Sequence, residues 1–221
     1  MAIGIGDNLS KSFAYAKGRL VGNWLDWIIL IILCIIPIIG WLLFAGFIIR
    51  VFRGGDAKLG EWVKMLVDGI LAVIIGIVYM IIPLIVAFIF GAGAILASVN
   101  PMDPVTTMNA VSAGIGLVGI IVTIIVAIIF GFMGTMGLVR FAKEDSLGAA
   151  FQFGEIFKII GKIGWLHYIL SWIVLGIVMF VIYFIFVLLS VVLIGLLLLV
   201  IFGPYLEIVT ARYYAQLYET A

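Results

Sequence analysis

Two short stretches carry most of the side chains able to do chemistry. RVFRGGDAKLGEWVK runs from Arg50 to Lys64, and RFAKEDSLGAAFQFGEIFKIIGK from Arg140 to Lys162. Each opens on an arginine that ends a long apolar run, with a second basic residue three positions on. Each then reaches Gly-Glu-apolar-apolar-Lys, as Gly60-Glu61-Trp62-Val63-Lys64 and Gly154-Glu155-Ile156-Phe157-Lys158, before a new apolar run begins. Clustered guanidinium and ammonium groups donate charge-assisted hydrogen bonds to anionic oxygens, so such residues could converge on a cytoplasmic pocket for an anionic headgroup or a partner. Arg50, Arg53, Glu61, Lys64, Arg140, Lys143, Glu155 and Lys158 are therefore the candidate binding residues. The plainer alternative is that Glu61 with Lys64, and Glu155 with Lys158, are helix-surface pairs at i,i+3.

A second, mostly uncharged set sits inside apolar runs: Tyr79, Thr123, His167, Ser171 and Tyr183. These would line a water-accessible cavity if the chain conducted a solute. His167 lies just past Lys162, where it reads more simply as a hydrogen-bonding residue near an interface than as a proton carrier. The sequence has no zinc-ligand spacing, no nucleophile with a matching base and no phosphate-cradling glycine loop. No catalytic residue, metal or cofactor is expected, and the chain reads as non-enzymatic.

The elements that position these residues are membrane helices. Of 221 residues, 67% are hydrophobic and 10% charged, and the mean hydropathy is +1.43. A soluble domain is about half apolar and about a quarter charged, so the class is integral membrane. A net charge of +1 excludes a nucleic-acid partner. Cys34, the single cysteine, sits in an apolar run and forms no internal disulfide. The opening MAIGIGDNLSKSF does not read as a signal peptide.

Residues 1–23 space Leu9, Phe13, Ala16 and Leu20 as a short interfacial helix or a solvated tail. Residues 27–49 are uncharged but carry Pro37 and Gly40, which break a helix there. Spans are expected at roughly 69–95 and 110–139, separated by the loop SVNPMDPVTTMN. From Lys162 to Glu207 the run is about twice the length of one crossing, so it must fold back, at Ser190 or else Gly195. The last helix would exit at Glu207 to Arg212. Tyr205, Tyr213, Tyr214 and Tyr218 would then sit at the membrane boundary.

The 12 Lys and Arg fall in four places: three before the first apolar run, four in 50–68, four in 140–162, and Arg212. Such residues concentrate in short cytoplasmic loops. If residues 27–49 dip in and return, with arms at about 20–36 and 38–50, all 12 lie inside. The preferred fold is thus all-α, with four crossings, an N-terminal re-entrant or kinked hairpin, and amphipathic helices on the cytoplasmic face. The alternative has five crossings and an external N-terminus. Gln152, Glu155, Lys158 and Lys162 share one helical face, and Glu61, Lys64 and Asp68 repeat the pattern. The repeats, about 38–95 and 110–187 of a single domain, would be related by an axis along the membrane normal. Gly91, Gly93, Gly114, Gly116, Gly119, Gly131, Gly134 and Gly137 read as close helix-packing positions.

The blocks GFIIRVFRGGD, EWVKMLVDGI, IVYMIIP and RFAKEDSLGAAFQFGEIFKII resemble an uncharacterised, mainly archaeal family of polytopic membrane proteins with a domain of unknown function. The resemblance covers most of the chain and implies a prokaryotic cell membrane; no activity comes with it. The expectation for function is a scaffold or accessory subunit binding lipid or protein through a basic cytoplasmic face. The alternative is a small oligomeric transporter or channel with a cavity between the repeats. A lipid-modifying enzyme ranks last. Membrane lipids are the expected partners, with a second copy or another membrane protein beside them.

Overall fold

A computed structural model describes the backbone of residues 3–97 and 107–221 and the side chains of 3–92 and 116–221. Within these residues the helices are α1 (Ile5–Leu20), α2 (Trp24–Ile35), α3 (Ile39–Arg53), α4 (Trp62–Ala97), α5 (Thr107–Glu144), α6 (Phe153–Ile163), α7 (Trp165–Leu189) and α8 (Ile194–Glu219). Four of them, α4, α5, α7 and α8, are long and apolar enough to cross a membrane. The chain is a polytopic all-α membrane protein. A fifth crossing would require α1 and α2, bent by 102°, to act as one span. The expected loop around Asp103 lies outside the described residues, except for 107–109, which open α5; the surroundings of Gly93 and Gly114 lie outside them too.

Contacts divide the chain into two compact units, Met1–Val73 with Met136–Ala221, and Ile74–Thr135. In the first, α8 is the hub, with α1, α2, α3 and α7 all packed on it. Pro204 lies inside α8, where a proline removes one backbone donor and crowds the preceding turn. Three residues earlier, the Ile201 carbonyl accepts a bond from the Trp27 indole N–H at 2.8 Å.

The segment between Arg19 and Ala57 is a hairpin. The Arg19 guanidinium bonds the Ala57 carbonyl, and the Tyr15 hydroxyl donates to the Gly55 carbonyl at 2.9 Å. Residues just before α2 and just after α3 therefore meet, whereas one crossing would part them by about 30 Å. The arms are 12 and 15 residues long, or about 18 and 22 Å, each short of a full crossing. Their turn is a γ-turn at Ile38 (φ 62, ψ −77), closed by Ile39 N–H to Pro37 O at 2.8 Å. That is the strained form of the turn. A Cβ on Gly40 would collide with the Leu33 carbonyl, so the arms meet backbone to backbone. The Trp41 indole donates to Cys34 O at 2.9 Å.

Glycine also seats α3 on α4. A Cβ at Gly46 would strike the Met65 carbonyl, and one at Gly69 the Leu42 carbonyl. Small residues let helix backbones approach where lipid supplies little hydrophobic drive. The Ser190-or-Gly195 turn is realised with both residues: Ser190–Val192 forms a short 3-10 turn, Leu193 takes φ 62, and Gly195 abuts the Phe186 carbonyl.

Three expectations need correction. The amphipathic segment at 61–68 is not a surface helix of its own but the opening of α4. Gly69 continues the helix because it must pack on Leu42, whereas Gly164 (φ 95) breaks the chain between α6 and α7. The helix of residues 1–23 is no solvated tail: it buries the polar Asn8, Ser12 and Arg19 together with Ala16 and Leu20 of its apolar stripe, because that face docks on α8. Lastly, α8 continues past Arg212 to Glu219, so Tyr213 and Tyr214 are packed inside rather than at its exit.

In the second unit, Phe90 lies over Gly119, and the Tyr79 ring would be 3.2 Å from a Cβ at Gly134. Tyr79 also meets Phe130 edge to face at 6.5 Å. Ile77, Leu84, Phe88, Ile120 and Ile124 are exposed, as a lipid-facing surface requires.

Candidate functional site at the charged end

In the first unit the end of α3, the start of α4, the end of α5 and the end of α8 meet through charge. Arg53, the last residue of α3, holds Asp68 of α4 with both terminal nitrogens, at 2.5 and 3.0 Å. It also holds Asp145, just past α5, at 2.7 Å. These carboxylates, Asp68 first, hold the Arg53 guanidinium above its ordinary pKa, because hydrogen bonding favours its charged form. Lys143 donates to the Arg53 carbonyl at 3.1 Å and pairs with Glu219 at 2.6 Å. Glu219 in turn takes Arg212 at 3.1 Å. Gly54 (φ 85) lies where a Cβ would press on Arg212, Lys143 and Glu219, so both its conformation and its surroundings call for glycine.

The N-terminal helix closes this end. Arg19, 7% exposed, pairs with Asp26 at 2.7 Å and lies 6.0 Å from the Phe47 ring centroid. The Arg212 guanidinium lies 5.3 Å from the Tyr15 ring centroid. Partial burial pushes the Tyr15 phenol pKa up.

Beside these contacts is an open polar cavity of about 370 Å³, lined by residues of 50–64 that include Arg50, Arg53, Lys58, Glu61 and Lys64. Arg50 donates to the carbonyls of Lys58 at 2.9 Å and Glu61 at 3.3 Å, and its contact with the Glu61 carboxylate is long, at 3.5 Å. Gly60 (φ 142) and Glu61 (φ 42) shape the wall just before α4 begins.

Of the eight candidate binding residues, Arg50, Arg53, Glu61 and Lys64 thus surround one cavity. The other four do not join its lining. Arg140 grips Glu144 at 3.0 and 2.7 Å and Gln152 Oε1 at 3.0 Å, tying α5 to the chain before α6. Lys143 serves the Glu219 contact. Glu155 and Lys158 pair with each other at 2.6 Å on the exposed face of α6, and Lys158 holds the Glu155 carboxyl below its ordinary range. Glu61 contacts Arg50 rather than making the expected pair with Lys64.

Of the uncharged candidates, Tyr79 and Thr123 belong to the second unit and His167, Ser171 and Tyr183 to the first. Tyr79 is packed as described above. Thr123 lines an apolar cavity of about 390 Å³ with Phe90, Gly91, Gly119 and Ile124. His167, Ser171 and Tyr183 are on α7. Among the described residues His167 Nε2 and Ser171 Oγ are buried without a hydrogen-bond partner, one turn apart, and the Tyr213 hydroxyl donates to the Ser171 carbonyl at 3.2 Å. Tyr183 follows three turns later, about 18 Å along the helix.

Sequence reasoning missed the buried polar face of α1. Asn8 donates to the Tyr213 carbonyl at 3.1 Å, and Ser12 reaches Gln216 at 3.5 Å. The signal was a small-residue stripe, Asn8, Ser12 and Ala16, at spacing four. Asp68 was also missed as an anchor, though it faces Arg53 from a helix that opens on a basic loop. Among the described residues no group of three His, Cys, Asp or Glu side chains is placed to hold a metal ion.

A family model described as "Protein of unknown function (DUF4013)" matches residues 29–191. No curated protein matches the chain, and no solved structure does.

Proposed function

The chain belongs to the DUF4013 family of proteins of unknown function, and from the geometry of its charged end we propose that it is a non-enzymatic membrane scaffold or accessory subunit. It binds membrane lipid or another membrane protein through a basic cytoplasmic face. The observation that carries this reading is the partition of the side chains. Basic residues at the ends of α3, α5 and α8 are gathered at one end of the first unit and locked there by Asp68, Asp145 and Glu219, and Arg19 of α1 is held by Asp26. The spans present exposed Ile, Leu, Val and Phe instead. The positive-inside rule assigns such an end to the cytoplasm, and each basic residue near an anionic leaflet adds about 1 kcal/mol of attraction.

The test is reconstitution of the full chain into liposomes of mixed phosphatidylglycerol and phosphatidylcholine. The scaffold reading expects no solute or ion flux above protein-free liposomes, and enrichment of the anionic lipid in the retained annulus. Specific flux would refute it. That outcome would favour a small oligomeric transporter or channel, to which the unpartnered His167 Nε2 and Ser171 Oγ would contribute polar groups.

A further inference from the structure

We propose that the cavity in the α3–α4 loop is a binding site for a phosphate-bearing anion, either a phospholipid headgroup or free phosphate. The proposal rests on the reading of the basic end as a binding face and names the ligand chemistry of one site on it.

Four cations line this cavity: Arg50, Arg53, Lys58 and Lys64. Arg53 is already neutralised by Asp68 and Asp145, so it supports the wall and is not counted toward the ligand. Arg50 differs. Its side chain is 13% exposed and is held by two backbone carbonyls, which orient a guanidinium without cancelling its charge. A pre-oriented arginine of this kind loses little freedom on meeting a planar or tetrahedral oxyanion.

Among the described residues Lys58 has one ion-pair partner, Asp56, at 3.2 Å, with both side chains largely in solvent, and such a pair exchanges readily for a better acceptor. Lys64 has no ion pair among the described residues. The opposing carboxylates, Asp56 and Glu61, are 65% and 75% exposed, so both can turn to water when an anion arrives. The first intrahelical bond of α4 is Met65 N–H to Glu61 O. The preceding N–H groups of that first turn therefore add positive field on the same side. The volume, about 370 Å³, admits a phosphate and the glycerol beside it, while the open mouth suits a headgroup whose chains remain in the leaflet.

The experiment uses the full chain in phosphatidylcholine nanodiscs. Inorganic phosphate is titrated by calorimetry in one arm. In the other, retained lipid is measured by mass spectrometry after equilibration with phosphatidylglycerol. The variant is Lys58→Gln/Lys64→Gln, whose side chains are exposed, so folding is preserved. The control, Lys158→Gln/Lys162→Gln, removes the same charge from α6.

At roughly one unit of headgroup attraction per lysine, the first variant should weaken anion binding about 10- to 30-fold, and the control less than about 3-fold. Binding in the phosphate arm alone identifies free phosphate as the ligand, and enrichment in the lipid arm identifies the headgroup. Equal losses in the two variants would overturn the site, as would no loss at Lys58/Lys64 or no anion binding by the parent chain. None of these outcomes depends on flux, so the site and the scaffold reading can fail separately.

Discussion

The Arg53–Asp68 pair is the contact on which the assembly of the charged end most depends, and a double-mutant cycle measures it. The Asp68 side chain is 6% exposed and that of Arg53 is 23% exposed, so neither ion is freely hydrated. At an effective dielectric of about 20, two charges some 4 Å apart attract by about 4 kcal/mol before desolvation is subtracted. Breaking a buried pair from one side costs about 3–5 kcal/mol, since the survivor is left uncompensated. Here Asp145 still holds the same guanidinium at 2.7 Å, but it is 67% exposed and recovers only part of the loss. Asp68→Asn should therefore cost about 2 kcal/mol, and Arg53→Met a similar amount. The coupling energy of the pair should be about 1–3 kcal/mol. Unfolding in mixed dodecyl maltoside–SDS micelles, followed by tryptophan fluorescence, gives all four corners of the cycle. Raising the salt to 1 M should leave the coupling largely intact, because screening acts on exposed pairs. A coupling below about 0.5 kcal/mol, the range of solvated pairs, would refute the claim that this contact is held out of water.

Other predictions follow from the packing and the charges. Gly46→Ala places a methyl into the Met65 carbonyl and should abolish folded yield or lower the unfolding midpoint sharply, whereas Gly76→Ala meets nothing within 4 Å and should stabilise by up to about 1 kcal/mol; size-exclusion profiles and melting curves separate the two. Ile38→Gly relieves the positive φ of the hairpin turn and should stabilise by about 1 kcal/mol, and a lower midpoint would count against the γ-turn. In a Cys34→Ser background, cysteines at Lys11 and Asp56 should be labelled from one side of the membrane and a cysteine at Val191, 87% exposed, from the other. Labelling of positions 11 and 56 from opposite sides would dismiss the hairpin. Asn8 is a poor probe because it is buried. The Glu155 carboxyl should titrate below ordinary glutamate by carboxyl-carbon NMR and return toward it in Lys158→Ala. Its folded pKa is depressed, so its contribution is present above the unfolded value near 4.3 and fades as pH falls through the lower, folded one.

Composition and charge placement alone determine the class, the number of long spans and the gathering of basic residues at one end. A run of apolar side chains longer than a bilayer is thick has few alternatives, and cations avoid hydrocarbon wherever they fall in the chain. Pro37 and Gly40 announced a break because those residues act through their own backbone, and the fold-back at Ser190 or Gly195 followed from the length of the apolar run. Tertiary structure alone decided where each broken piece went. That residues 24–53 return to their starting point depends on Arg19 meeting Ala57 and Tyr15 meeting Gly55, contacts between positions about forty residues apart. The two Gly-Glu-apolar-apolar-Lys pentads looked equivalent in the chain, yet one opens a 36-residue helix and the other lies in an 11-residue helix. The difference is made by what Gly69 and Asp68 touch on α3. The polar face of α1 stayed hidden for the same reason: Asn8 and Ser12 show no partner in the sequence until a second helix with its own polar groups is placed against them.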